Sequence, residues 1–267
     1  MALPISLGVV RGLLRELAVS ARDEKPLVVG GARELAAVLR RELGRGARPD
    51  AIRADDGPEG AAVLVYVLAH DLGDDDRQAL KRARRARVPV VAVAAGPAAA
   101  HTTIPFVLAT DVVHVGTGEG FPIDAIVKVI AGRLGEEAAP LAARVPVLRG
   151  SVCRYLVGSF SRKNALTAAA VFVPGADLPI LALHQARMLL RLEQAYGIEI
   201  DRDRLPEVLA TVGAGLGLRA LARELLDLVP VAGWAVKGAV AYAGTRALGE
   251  AAIRRLELGV DGTRGRD

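Results

Sequence analysis

Two glycine clusters stand where a chain can cradle an anion. Gly30 and Gly31 precede Ala32 and Arg33, and Gly116-Thr117-Gly118-Glu119-Gly120 forms a second small-residue loop. Backbone N–H groups in such loops, ahead of a helix N-terminus, can hold a phosphate or a carboxylate. Arg33 adds a positive charge beside the first cluster, whereas Glu119 repels an anion at the second. A plain structural role, a tight turn packing helix on strand, accounts for both. Gly30, Gly31, Arg33, Gly116, Thr117, Gly118 and Gly120 are the anion-loop candidates to be tested against the structure.

Other reactive residue types are scattered. Asp71, Asp74, Asp75 and Asp76 cluster, but Lys81, Arg82, Arg84, Arg85 and Arg87 follow them. Acids at the start of a helix and bases at its end complement the helix dipole, so capping explains the cluster better than a metal. The same bases lack the aromatic interleaving of a nucleic-acid platform. His70, His101, His114 and His184 have no metal-ligand spacing. Cys153, the one cysteine, lies in an apolar stretch and reads as a buried thiol; a single cysteine fits a reducing cytoplasm. No catalytic set, no metal site and no cofactor are expected.

Small residues four apart form a third pattern. Gly213 and Gly217 are one pair; Ala241, Thr245 and Gly249 continue the theme. Such spacing lets helices approach closely, in membranes or in soluble bundles. Arg219, Arg223, Glu224, Asp227, Lys237 and Arg246 interrupt the apolar runs, and each is costly in lipid. These five small residues are therefore helix-packing or interface candidates.

The elements that carry these residues follow from periodicity. Pro26–Gly31 reads as a strand ending in a glycine turn, Arg33–Leu43 as a helix and Ala51–Ala54 as a short strand. Ala61–Ala69 (AAVLVYVLA) and Val88–Ala94 (VPVVAVA) are continuous apolar runs, the pattern of strands covered on both faces. Asp74–Arg87 is a helix between them, Asp111–Val115 a further strand and Ile123–Leu134 a further helix. Strands alternating with helices predict a mostly parallel sheet with helices on both faces. Past about Glu137 the pattern turns helical: Leu141–Phe160, Lys163–Val173, Leu178–Tyr196, Arg204–Leu228 and Val231–Leu256. Asp177 suits an N-cap and Gly197 a C-cap. Within Leu178–Tyr196, His184, Arg187, Arg191 and Gln194 share one face and Leu181, Met188, Leu192 and Ala195 another. The expected organisation is an amphipathic N-terminal helix (1–20), an α/β domain (25–137), a helical domain (141–257) and a disordered polar tail (261–267).

The chain has 267 residues, is 52% hydrophobic and only 3% aromatic, and carries a net charge of +5. Its basicity comes with an arginine-, alanine- and glycine-rich composition and is no argument for nucleic acid. It does suit an anionic membrane surface, and peripheral contact is an expectation to test, through the N-terminal helix with Leu7, Val10, Leu13, Leu14 and Leu17 or through an exposed face of the helical bundle.

The order and hydrophobic pattern of Lys25–Leu134, above all Ala61–Gly96 and the stretch DVVHVGTGEGFPIDAIVKVIAGRL, resemble an Era-type GTPase domain. The nucleotide motifs of that family are missing. Gly30-Gly31-Ala32-Arg33-Glu34-Leu35 stands where a phosphate loop with a Lys-Ser/Thr pair is needed. Ala94-Ala95-Gly96-Pro97 stands where a guanine-reading motif is needed, and Asp55, Asp56, Gly57 and Gly60 are wrongly spaced for the magnesium motif. The second half, through PGADLPILALHQARMLLRLEQAYG, RALARELLDLVPVAGW and GTRALGEAA, resembles the helical domain of unknown function that follows GTPase-like domains in YcjF-type proteins. The two resemblances imply a non-catalytic, pseudo-GTPase-type adaptor. It would work through protein partners, in the cytoplasm or at the cytoplasmic face of a membrane. A phosphate-ligand or nucleotide sensor and an integral membrane helical domain are the alternatives.

Overall fold

A computed structural model describes residues 7–96, 103–116, 118–170, 178–198 and 233–264. The chain divides into two compact units, Asp23–Tyr155 and Met1–Arg22 with Leu156–Asp267.

In the first unit, β1 (Leu27–Gly31), β2 (Ile52–Ala54), β3 (Val63–Leu68), β4 (Val90–Ala95) and β5 (Val112–Val115) form one five-stranded sheet of order β2-β1-β3-β4-β5. Every pairing is parallel; Leu27 is in register with Ile52 and with Val63, Leu64 with Val90, and Ala92 with Val112. All six residues of β3 are buried, as a valine-rich strand covered on both faces must be. Helix α3 (Asp74–Arg85) packs Ala79, Leu80 and Ala83 against the face carrying Val28, Leu64, Tyr66, Leu68, Val90, Ala92 and Ala94. The opposite face, with Leu27, Val29, Val63, Val65, Val67, Val91 and Val93, is also buried. Helix α2 (Arg33–Leu43) joins β1 to β2 and α3 joins β3 to β4 in opposite directions across the sheet, so right-handed crossovers put them on opposite faces. Helix α4 (Ile123–Leu134) buries Ile126, Val127, Ile130 and Ala131.

The acidic turn caps α3 as expected. Asp76 Oδ2 accepts the Gly73 N–H at 2.8 Å, and its Oδ1 accepts the Tyr66 hydroxyl at 2.8 Å. Burial first, and then that hydrogen bond, push the Tyr66 hydroxyl well above its ordinary pKa.

Three boundaries differ from expectation. The helix expected at Leu141–Phe160 is two, α5 (Ala138–Arg144) and α6 (Pro146–Ala170). Val145 turns extended (φ −123°, ψ 86°) because a residue before proline is pushed out of the helical region, and Pro146 opens the next helix where no N–H is required. The expected break after Phe160 does not occur. Ser161 and Asn164 turn inward while Arg162 and Lys163 reach solvent, so the polar run fits one continuous helix. The unit boundary consequently falls within α6, and α5 belongs with the sheet. Arg144 there donates to the carbonyls of Glu24 (2.9 Å) and Lys25 (2.6 Å), and its own carbonyl accepts the Arg48 N–H at 2.9 Å.

In the second unit, α7 (Leu178–Ala195) packs against α1 (Leu7–Ala21) and against α8 (Gly233–Arg264). Leu13 and Leu17 of α1 are buried with Ala182, Ala186, Leu189 and Leu190. That part of the apolar stripe proposed for a membrane surface is therefore covered by protein. Helix α8 runs to Arg264, into the tail expected to be disordered; extending a formed helix costs little per residue, and no proline stops it. Among the described residues, no helix is long and apolar enough to cross a membrane. Thr117, His101, Asp177, Gly213, Gly217 and the helix expected over Arg204–Leu228 lie outside the described residues.

Candidate functional site

In open parallel sheets, ligands bind beyond the carboxyl ends of the strands, at the point where the strand order reverses. The order found here, with β1 beside β3, is the flavodoxin-like one and puts that point between β1 and β3. Gly30 and Gly31 end β1 there. Each is closely approached by a neighbouring strand or the residue that follows it. A Cβ on Gly30 would overlap the Asp55 carboxylate, and one on Gly31 would overlap the Val67 carbonyl oxygen. Gly31 has φ +96°, open to glycine at no cost. The following Ala32 N–H donates to that same Val67 oxygen at 2.8 Å. An N–H that an anion would need is thus spent on the sheet. Arg33 is exposed at the first residue of α2.

The second glycine loop lines a cavity of about 580 Å³ between α2 and the ends of β4 and β5. Gly116, Gly118 and Gly120 contribute backbone, Leu35, Val38 and Phe121 the apolar wall, and Gly96 the end of β4. A turn bonds Glu119 N–H to Gly116 O at 3.1 Å, with Gly118 at φ +79° in the place where a type II turn calls for glycine. The Glu119 carboxylate folds back over Gly116 so closely that a Cβ there would overlap it. The charged groups on the described lining are Glu42 and Glu119. Among the described residues of the lining, an anion would meet two carboxylates and no cation.

The Ala241, Thr245 and Gly249 stripe of α8 packs inward. Ala241 meets Ala168 and Leu181. A Cβ on Gly249 would lie 2.5 Å from Val157 Cγ2, so α6 and α8 approach at a distance that only glycine permits. Thr245, fully buried, accepts from Asn164 Nδ2 at 2.8 Å and from Gln185 Nε2 at 3.3 Å. His184 Nδ1 lies 2.8 Å from Asn164 Oδ1. The polar stripe of α7 is likewise covered: Arg191, with its side chain 4% exposed, donates to Ser20 (2.7 Å) and Gln194 (2.8 Å), and Glu16 pairs with Arg187 at 2.6 Å. Helical spacing marks this stripe in the sequence, but not the α1 residues that cover it.

Comparison of the chain with protein-family models, with curated proteins and with solved structures finds no match.

Among the described residues no group of three or more His, Cys, Asp or Glu side chains is placed to hold a metal. Cys153 is buried, and His70 and His114 are exposed on separate segments. The Tyr66 hydroxyl, pushed up chiefly by burial, bonds Asp76 at the α3 cap rather than in a cleft.

Proposed function

We propose that this protein is a non-catalytic scaffold, a pseudo-GTPase-type platform joined to a YcjF-like helical domain, which acts by binding a protein partner. The observation that carries this reading is the state of the strand ends. At the end of β1, Asp55 on the β2 side crowds Gly30, and Val67 of β3 crowds Gly31 and takes the Ala32 N–H. The neighbouring cavity presents Glu42 and Glu119 to whatever enters. A nucleotide triphosphate needs the reverse: free N–H groups, a lysine and a hydroxyl for magnesium. A sheet kept without its phosphate site serves as a rigid frame, and its outer faces are then the surfaces on which function acts. Equilibrium titration of the full chain with fluorescent GTP and ATP, with and without magnesium, tests the proposal. The scaffold reading expects no saturable signal at micromolar concentrations.

A further inference from the structure

The opposite end of the sheet carries a second cavity, of about 470 Å³, at the start of β4. Leu80 and Arg84 of α3, Arg87, Phe106, Leu108 and Arg133 of α4 frame it. The described lining holds three arginines and no acid, the inverse of the cavity at the strand ends. Phe106 and Leu108 are 50% and 60% exposed, in a chain that is only 3% aromatic. The Arg84 guanidinium stacks on the Phe106 ring at 4.6 Å. Arg133 lies 3.4 Å from Asp111, and for Arg84 and Arg87 no carboxylate among the described residues lies within pairing distance.

Backbone geometry singles out the same place. Among the described residues, the non-glycine positions of positive φ are Arg87 (+56°) and Phe106 (+67°), and both line this cavity. Arg87 occupies the left-handed residue of a Schellman cap on α3: Val88 N–H donates to Ala83 O at 2.9 Å and Arg87 N–H to Arg84 O at 3.1 Å. Glycine is the usual residue there, since a Cβ is strained in that region. Helix-dipole compensation explains basic residues at the end of α3. It explains neither an arginine where glycine is favoured nor a half-exposed phenylalanine at positive φ. Backbone outliers of this kind cluster at ligand clamps and other functional sites.

We infer that this cavity docks an acidic segment of a partner protein, with one carboxylate on Arg84 and Arg87 and an adjacent apolar side chain against Phe106 and Leu108. Guanidinium forks suit carboxylates, and exposed aromatics with arginine are typical binding anchors. Arg84 already covers one face of the single ring, which leaves no row of rings for stacked bases. Two apolar residues in a concavity do not make the broad apolar face of a membrane anchor. The inference rests on the scaffold reading and gives the partner its chemistry; nucleotide binding at the strand ends would overturn that reading and leave this surface to be judged by its own assay.

Fluorescence anisotropy tests it with the full chain and a short labelled peptide alternating glutamate with leucine, against a lysine–leucine control, a labelled RNA oligomer and phosphatidylserine vesicles. Expected are binding of the acidic peptide that weakens with salt, and losses of at least about tenfold in Arg84→Gln, Arg87→Gly and Phe106→Gly. Arg87→Gly puts the favoured residue at the left-handed position of the helix cap, so its melting temperature should hold while binding falls, a pairing that a merely structural role does not give. Equal binding of both peptides, acidic binding unchanged in the variants, or preference for RNA or vesicles overturns the inference.

Discussion

Gly31→Ala should be among the most damaging small substitutions in the sheet unit, and its cost can be worked from two features. The residue sits at φ +96°, where an L side chain costs about 1–2 kcal/mol. Its new Cβ would overlap the Val67 carbonyl oxygen, so β1 must part from β3 at that point. The 2.8 Å bond from Ala32 N–H to Val67 O is then lost, and a donor left unpartnered beside a buried strand costs about 1–3 kcal/mol. The sum is about 2–5 kcal/mol, a large fraction of an ordinary domain's stability, and corresponds to a fall in melting temperature of roughly 8–20 °C. Two glycines calibrate the estimate. Gly60 also has positive φ (+71°) but open space around it, so Gly60→Ala should cost only about 1–2 kcal/mol. Gly132 lies within α4 with nothing near its would-be Cβ, and Gly132→Ala should gain about 0.5–1 kcal/mol. Because two units do not guarantee one transition, amide hydrogen exchange of β1 and β3 is read alongside thermal unfolding. A Gly31→Ala protein within about 1 kcal/mol of the parent, with unchanged protection in those strands, refutes the close-approach argument.

Three further outcomes follow from other contacts. Gly249→Ala should destabilise the helical unit by about 1–3 kcal/mol despite the better helix propensity of alanine, because α8 must move away from Val157; chemical denaturation measures it. Glu16→Gln should cost about 1–2 kcal/mol and expose α1 to proteolysis, since it removes the carboxylate beside the buried Arg191; the half-exposed Glu16 keeps this below the cost of breaking a fully buried pair. The raised pKa of Tyr66 means that the folded state holds the neutral phenol more tightly than the unfolded chain does. Its contribution is fully present below the unfolded value near 10 and is lost as pH climbs toward the higher folded one. Tyr66→Phe should therefore flatten the alkaline loss of stability, read by chemical denaturation across alkaline pH.

Much of the sheet is legible in the sequence because each central strand is buried on both faces. Ala61–Ala69 contains β3, Val88–Ala94 covers β4 except its last residue Ala95, and the helix at Arg33–Leu43 has the bounds its pattern gives. The misread boundaries are those where one residue serves two roles. Ser161-Arg162-Lys163 reads as a break, yet its members point to different environments around one helix. The polar face of α7 is visible as a stripe, but that Ser20 and Glu16 of α1 meet it depends on tertiary packing. The Gly116–Gly120 loop is visible as a loop; that Glu42 of α2 joins Glu119 on one cavity is not, since the two are far apart in sequence. Phe106 gives least warning of all. Its positive φ uses none of the Gly, Asn or Asp signals by which left-handed residues are read.

The proposal of a scaffold that binds no nucleotide at its strand ends is tested most directly by isothermal titration of the chain with GTP and with ATP in magnesium. The Ala32 N–H spent on Val67 and the carboxylates of Glu42 and Glu119 predict no binding heat and no change in melting temperature at ligand concentrations up to about millimolar. A micromolar dissociation constant that depends on magnesium would contradict the account.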